Sequence, residues 1–222
     1  MKKFYKKISM LIMMSIGISA SVCAQNFHLL DINDSKDSHP SNNSLFNSAQ
    51  PLPNDYLYGK FEYAVLNNIA YFTADDGIHG AELWRSDGTA KGTYMVKDIN
   101  PGNLSSGVSS ITVSGNKIFF RADDGIYGQE IWVSDGTDAG TVMVKDISPY
   151  GGSFPSFLTD VNGTVYFFVT FYATADELWK TDGTTDGTVM VTDFFSELGT
   201  YNASRLTNVN GRLFCVLDNY GA

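Results

Sequence analysis

The chain has 222 residues, 43% hydrophobic and 14% aromatic, with 24 acidic residues against 15 basic for a formal net charge of −9. Apolar and aromatic content at this level excludes wholesale disorder, and an acidic chain repels phosphate backbones, which excludes nucleic acid as a partner.

Positions 1–24 read as an export signal. Lys2, Lys3, Lys6 and Lys7 form a basic head, and Ile8 to Val22 is an apolar run relieved only by serines and glycines. Val22-Cys23-Ala24 then places small residues where a signal peptidase cuts, so cleavage is expected between Ala24 and Gln25. The run is shorter than the ~20 apolar residues of a membrane span, and Ala20-Ser21-Val22 makes a poor lipobox ahead of Cys23. The expectation is a secreted or cell-surface protein with no transmembrane segment after cleavage. Cleavage leaves 11 basic residues against 24 acidic, a net charge of −13, and Cys215 as the one cysteine, so no intrachain disulfide forms. Aligned with Phe72, Phe120 and Phe167 in the repeats described next, Cys215 is expected as a buried apolar thiol.

Residues 25–56 are rich in Asn, Ser, Asp and Pro with no apolar period, the pattern of a disordered polar linker, and His28 and His39 lie in it as solvated side chains. Repeats follow. Glu82–Ile99 (ELWRSDGTAKGTYMVKDI) returns as EIWVSDGTDAGTVMVKDI at Glu130–Ile147 and as ELWKTDGTTDGTVMVTDF at Glu177–Phe194. The tryptophans step by 48 and then 47 residues, a period that signals a repeat architecture.

Each unit reads as four short strands. In the first, Phe61–Leu66 is followed by a break at Asn67-Asn68, then Ala70–Ala74, a turn at Asp75-Asp76-Gly77, the tryptophan strand Glu82–Arg85, a loop SDGTAKG, and Thr93–Ile99. The break recurs as Gly115-Asn116, Asn162-Gly163 and Asn210-Gly211, pairs that tolerate the positive φ of a primed hairpin turn. Ile118-Phe119-Phe120 and Val165-Tyr166-Phe167-Phe168 are apolar at successive positions, so both sheet faces must be covered. The expected fold is all-β, a β-propeller-like array of four-stranded blades: blade 1 over 57–100, blade 2 over 101–148, blade 3 over 149–195 and a partial blade 4 over 196–222. Three and a half blades do not close a ring, so the chain is expected to be a fragment of a longer one. Its two flanks are expected to expose apolar side chains such as Val65, Tyr71 and Phe214.

Trp84, Trp132 and Trp179 hold one place in every unit, which predicts that they fill the same gap between adjacent blades. Asp87, Asp135 and Asp182 precede Gly88, Gly136 and Gly183, and a second glycine (Gly92, Gly140, Gly187) follows five residues after each aspartate. The carboxylate is expected to accept N–H groups of its own loop, with the glycines in conformations closed to other residues. The loop is similar to the Asp-box hairpin of several propellers, with different spacing.

ELWRSDGT, EIWVSDGT and ELWKTDGT together resemble the ELWxxDGT repeat of secreted bacterial proteins, also labelled hyalin-like. The resemblance covers about Phe61 to Ala222. It implies an exported or surface protein with a propeller-like fold, often a substrate of type IX secretion, and it implies no catalytic residues.

Acidic residues recur at corresponding turns: Asp75, Asp76, Asp123 and Asp124 after the second strand, and Asp98 and Asp146 after the fourth. Both turn types share one face of a propeller, so these carboxylates are candidates to converge on Ca²⁺, which takes six to eight oxygen ligands. Enzyme chemistry lacks a constellation. His79 is the one histidine in the repeats, and the arginines (Arg85, Arg121, Arg205, Arg212) fall at unrelated repeat positions. The sequence therefore points to a non-catalytic scaffold for a surface protein or glycan partner, with a calcium- or glycan-binding module on the acidic turn face as the alternative.

Overall fold

The computed structural model describes residues 62–170, 177–193 and 201–219. The expected signal peptide (1–24) and linker (25–56) lie outside these residues. The fold is all-β and propeller-like. One sheet runs β1 (Tyr63–Leu66), β2 (Ile69–Asp75), β3 (Ala81–Ser86), β4 (Tyr94–Lys97), and every neighbouring pair is antiparallel. The second repeats it with β5 (Ser109–Ser114), β6 (Lys117–Asp123), β7 (Gln129–Ser134) and β8 (Val142–Lys145), and the third with β9 (Ser156–Val161), β10 (Thr164–Val169), β11 (Glu177–Thr181) and β12 (Val189–Asp193). A fourth sheet holds β13 (Tyr201–Val209) and β14 (Arg212–Asn219). The array is three complete blades and a partial one, an incomplete ring.

Short loops fix this up-and-down order. Both central residues are left-handed in three of the four β1–β2-type turns: Asn67 and Asn68 (φ 52° and 64°), Asn162 and Gly163 (55° and 86°), Asn210 and Gly211 (52° and 77°). In the remaining turn Gly115 is left-handed at 57°. Those angles match the twist of the flanking strands and close the hairpin in two residues.

The continuous apolar runs on β6 and β10 place side chains on both faces of a blade, and each face meets a different neighbour. Tyr71, Leu83 and Val96 of the first blade pack against Ile118, Phe120, Ala122 and Trp132 of the second. The other face of the second blade, with Phe119, Ile131, Val133 and Val144, packs against Val165, Phe167, Val169 and Trp179 of the third. Phe168, Leu178 and Tyr166 then meet Leu206 and Leu213 of the partial blade. Trp132 and Trp179 thus occupy equivalent gaps, and Trp132 lies stacked on Phe120 with ring centroids 6.5 Å apart. Trp84 holds the same position on the first blade's outer face, among Phe72, Ala74, Tyr63 and Met95, with no blade in front of it among the described residues.

Two sequence expectations are corrected by this packing. Tyr71 is not on an open flank. It is 2% exposed, because its strand turns it toward the second blade, where its hydroxyl lies against Gly136. Val65 and Phe214 are the exposed ones, at 43% and 54%. Cys215 is exposed, not buried. In its column Phe72, Phe120 and Phe167 each pair with a tryptophan across β2–β3, β6–β7 and β10–β11, and β14 has no such strand beside it among the described residues.

Polar contacts add a second layer between blades. Thr112 Oγ1 donates to Leu158 O (3.0 Å) and Thr159 Oγ1 to Leu206 O (3.4 Å), each linking an inner strand to its neighbour, and Thr73 Oγ1 of β2 donates to Val108 O (3.1 Å) just before β5. On the outer side Lys97 reaches Asp138 (3.0 Å), and Lys145 donates to Thr188 O (2.9 Å) while lying over the Trp179 ring.

Truncating Trp132 to alanine empties a gap lined on both sides and is expected to destabilise the chain by about 3–5 kcal/mol in a denaturant melt. Trp84→Ala, on a face that meets no second blade, is expected to cost less. A loss for Trp132→Ala below about 1 kcal/mol would contradict the packing described here.

Candidate functional site

The SDGT loops form the same hydrogen-bonded unit three times. Asp87 Oδ1 accepts from Thr89 N (2.9 Å) and Thr89 Oγ1 (2.7 Å), and Asp135 and Asp182 do the same with Thr137 and Thr184. These bonds, the threonine hydroxyl foremost, hold all three carboxyls below their usual range. Ser86 Oγ lies 2.6 Å from Thr93 Oγ1 and accepts from Gly88 N, and Thr181 keeps that pattern in the third blade because its hydroxyl stands where the serine's does.

The two glycines of the loop serve different ends. Gly88, Gly136 and Gly183 are left-handed (φ 87°, 88°, 88°), as expected. The second glycine is required for room instead: a Cβ on Gly92, Gly140 or Gly187 would stand 2.0–2.1 Å from the aspartate Oδ1 of its own loop. These aspartates therefore build loops.

The acidic turns also close on themselves. Asp75 Oδ1 accepts from Gly77 N (2.7 Å), and Asp76 accepts from Ile78 N, His79 N and His79 Nδ1. Asp123 and Asp124 repeat this with Gly125, Ile126 and Tyr127. Asp98 and Asp146 lie near the same end, each with a buried Oδ1 that has no hydrogen-bond partner among the described residues. The expected convergence does not occur: among the described residues no group of three or more His, Cys, Asp or Glu side chains is placed to hold a metal ion. Asp75, Asp76, Asp123 and Asp124 instead fold back on the N–H groups of their own turns.

The glutamate that opens each repeat went unread in the sequence. Glu82 and Glu130 are fully buried. Glu82 accepts from Ile99 N (3.1 Å), Asn100 N (3.4 Å) and Ser106 N (3.2 Å), and Glu130 from Ile147 N (3.2 Å), Ser148 N (3.4 Å), Ser153 N (2.9 Å) and Ser153 Oγ (2.5 Å). Those donors belong to the segment that carries the chain from one blade to the next. The same segment bridges blades: Ser106 N donates to Ala81 O, and Ser106 O accepts from Asp123 N (2.8 Å), while at the next junction Phe154 N donates to Gln129 O (3.1 Å) and Ser153 O accepts from Thr170 N (3.2 Å). In the third blade Glu177 instead accepts from Trp179 Nε1 (2.7 Å), and residues 194–200, which follow β12, lie outside the described residues. Burial raises both Glu82 and Glu130, against the pull of their donors, and takes Glu130 up to about 7. Its recurrence in all three units was the available signal.

A second unread feature lies on the inner strands, which run side by side from blade to blade. In each of the last three sheets the inner strand carries a bulge. Ser110 and Ile111 stand opposite the single residue Phe120, Phe157 and Leu158 opposite Phe167, and Arg205 and Leu206 opposite Cys215. The first residue of each bulge is left-handed though not glycine: Ser110 (φ 56°), Phe157 (55°) and Arg205 (61°). For a side chain as large as Phe157 that conformation costs on the order of 1–3 kcal/mol. Glu62, just before β1, takes the corresponding place in the first blade, and its carboxylate accepts the N–H of Ser110. Between the inner strands lies a groove of about 430 Å³ lined by Glu62, Tyr63, Ser110, Thr112, Ser156 and Phe157, with Ile111 and Leu158 beneath.

A scan against protein-family models finds no match. A search of curated proteins finds none either. Among solved structures, a chain from a structural and mechanistic analysis of two prolyl endopeptidases is similar over 72% of this chain and 24% of its own, with 14% identity and a TM-score of 0.42. The chain spans under a quarter of that structure, and a likeness this distant carries no argument about activity.

The buried carboxylate generates a pH dependence of stability. Folding raises the Glu130 pKa, so the folded state binds more protons between about 4.5 and 7. That contribution is complete below pH 4.5, falls as pH rises toward 7, and amounts to about 3 kcal/mol at most. Denaturant melts are expected to show stability declining from pH 5 to 7.5 in the parent and less steeply in Glu130→Gln, where the raised Glu82 still contributes. The same variant is expected to lose about 1–3 kcal/mol at pH 5, because an amide NH₂ faces N–H donors and leaves one unpaired. A parent profile that rises over this range would overturn the assignment.

Proposed function

We propose that this chain is a non-catalytic, exported repeat protein of the ELWxxDGT type, serving as an interaction scaffold at the cell surface or outside the cell. The observation that carries the reading is the division of labour among its residues. Side chains that recur identically are spent on internal contacts: Trp132 and Trp179 between blades, Glu82 and Glu130 on the connecting segments, Asp87, Asp135 and Asp182 in their own loops. Side chains at the inner-strand bulge, free of those duties, differ from blade to blade: Glu62, Ser110, Phe157 and Arg205. Such a pattern suits a framework that presents varied surface on an invariant support.

Apolar loop tips support the same reading. Ile78, Ile126, Leu104 and Tyr150 are exposed at the turns that follow the second and fourth strands, Ile126 to 79%. Exposed apolar side chains gathered at one end of a fold mark a contact surface more often than they serve stability.

Export is tested by producing the whole chain, with its own first 24 residues, in a Gram-negative host and fractionating the cells. The expected product lies outside the cytoplasm and begins at Gln25 on N-terminal sequencing. An intact chain beginning at Met1 and confined to the cytoplasm would refute the reading.

A further inference from the structure

We infer that the groove between the inner strands is a binding site for a neutral oligosaccharide, with Phe157 as its stacking platform and Ser110, Ser156 and Glu62 as its hydrogen-bonding groups.

Three observations lead there. The bulge is retained in three sheets at a backbone cost, since Ser110, Phe157 and Arg205 all adopt a conformation natural to glycine. A bulge re-aims the side chain it carries, and strain kept at one repeated place points to use there. Next, the bulge is where chemistry varies while the framework does not. Successive blades offer Glu62, Ser110, Phe157 and Arg205 at corresponding positions, beside columns that keep Trp and Asp unchanged. Identical units need no such variety to pack.

The lining then selects the ligand. Phe157 is 45% exposed, and its ring is held edge-on to Phe168 at 6.2 Å and 76°, which fixes an open aromatic surface in the groove. Pyranose rings present an apolar C–H face that stacks on such a surface, and hydroxyls around their rim that need hydrogen-bond partners. Among the described residues the Ser110 and Ser156 hydroxyls have no partner, and Glu62 is a strong acceptor beside them. Among the described residues no lysine or arginine lines the groove, and the Glu62 carboxylate repels an anionic polysaccharide. This inference extends the scaffold reading by naming a partner class. Its failure would leave export untouched, because the export test does not involve the groove.

The test is calorimetric titration of the 222-residue chain with cellohexaose, chitohexaose, xylohexaose, mannohexaose and laminarihexaose, and with an oligouronate of equal length. At least one neutral hexasaccharide is expected to bind saturably, and the oligouronate is not. Phe157→Gly removes the platform while relieving the left-handed backbone, so its melting transition is expected to persist while affinity falls about tenfold or more. Should that variant fail to fold, Ser110→Gly with Ser156→Ala reads the same site and is expected to weaken binding likewise. Asp123→Asn with Asp124→Asn, away from the groove, is expected to bind as the parent does. Absence of saturable binding by every neutral hexasaccharide would overturn the inference. So would parental affinity in the groove variants, or preference for the oligouronate.

Discussion

A carboxylate buried between blades, surrounded by the N–H groups of the segment that joins them, is the contact on which this architecture turns. After its fourth strand the chain must leave the outer edge of one sheet and travel to the inner edge of the next. That crossing cannot pair its own backbone in a sheet, and a buried N–H without a partner costs as much as a broken hydrogen bond. Glu82 and Glu130 meet several such donors at once. Ser106 and Ser153 then pass the connection on to the following blade through their own backbone. The apolar gaps filled by Trp132 and Trp179 depend on this crossing, because it sets how far one sheet stands from the next.

The arrangement has an electrostatic consequence. A carboxyl group sealed from water resists ionisation, while converging donors favour it, and for Glu130 burial prevails. Replacement by an apolar residue would strand every donor, whereas an amide satisfies only part of them. The blade junction is thus held by a group that is difficult to substitute, a sufficient physical reason for the same glutamate to stand at both of these junctions.

Around this junction the molecule separates support from surface. The SDGT loops recur almost atom for atom in all three blades, and the glutamate contacts of Glu82 and Glu130 and the gaps filled by Trp132 and Trp179 recur at the two junctions between complete blades. Bulges on the inner strands then hold Ser110, Phe157 and Arg205 in a conformation that a free chain would avoid. Packing between adjacent blades supplies the restraint that keeps them there. Chemistry can change at such positions without disturbing the stack, since Ser110 and Phe157 stand in the groove and Arg205 is exposed, none of them in the core.

Much of this was readable from residues alone, because it is written in short-range pattern. The all-β class, the hairpin pairs such as Asn67-Asn68 and Asn162-Gly163, the two-faced burial of β6 and β10, and the interblade place of Trp132 and Trp179 all follow from period and turn chemistry within a few residues, whereas Trp84 faces no second blade among the described residues. What needed the tertiary structure depends on which face meets which neighbour. Tyr71 and Phe72 are adjacent in sequence, and only strand pairing decides that Tyr71 points to the second blade. Cys215 shares a column with three phenylalanines, yet it is exposed because a column records position and not the strand beside it. The paired aspartates looked like a convergent site, but nearby N–H groups claim each of them first. The glutamate's donors lie 17 to 24 residues away along the chain, and the bulges exist only as a mismatch between two strands. No local pattern encodes a mismatch, so the groove and its candidate ligand contacts emerge only when the strands are set side by side.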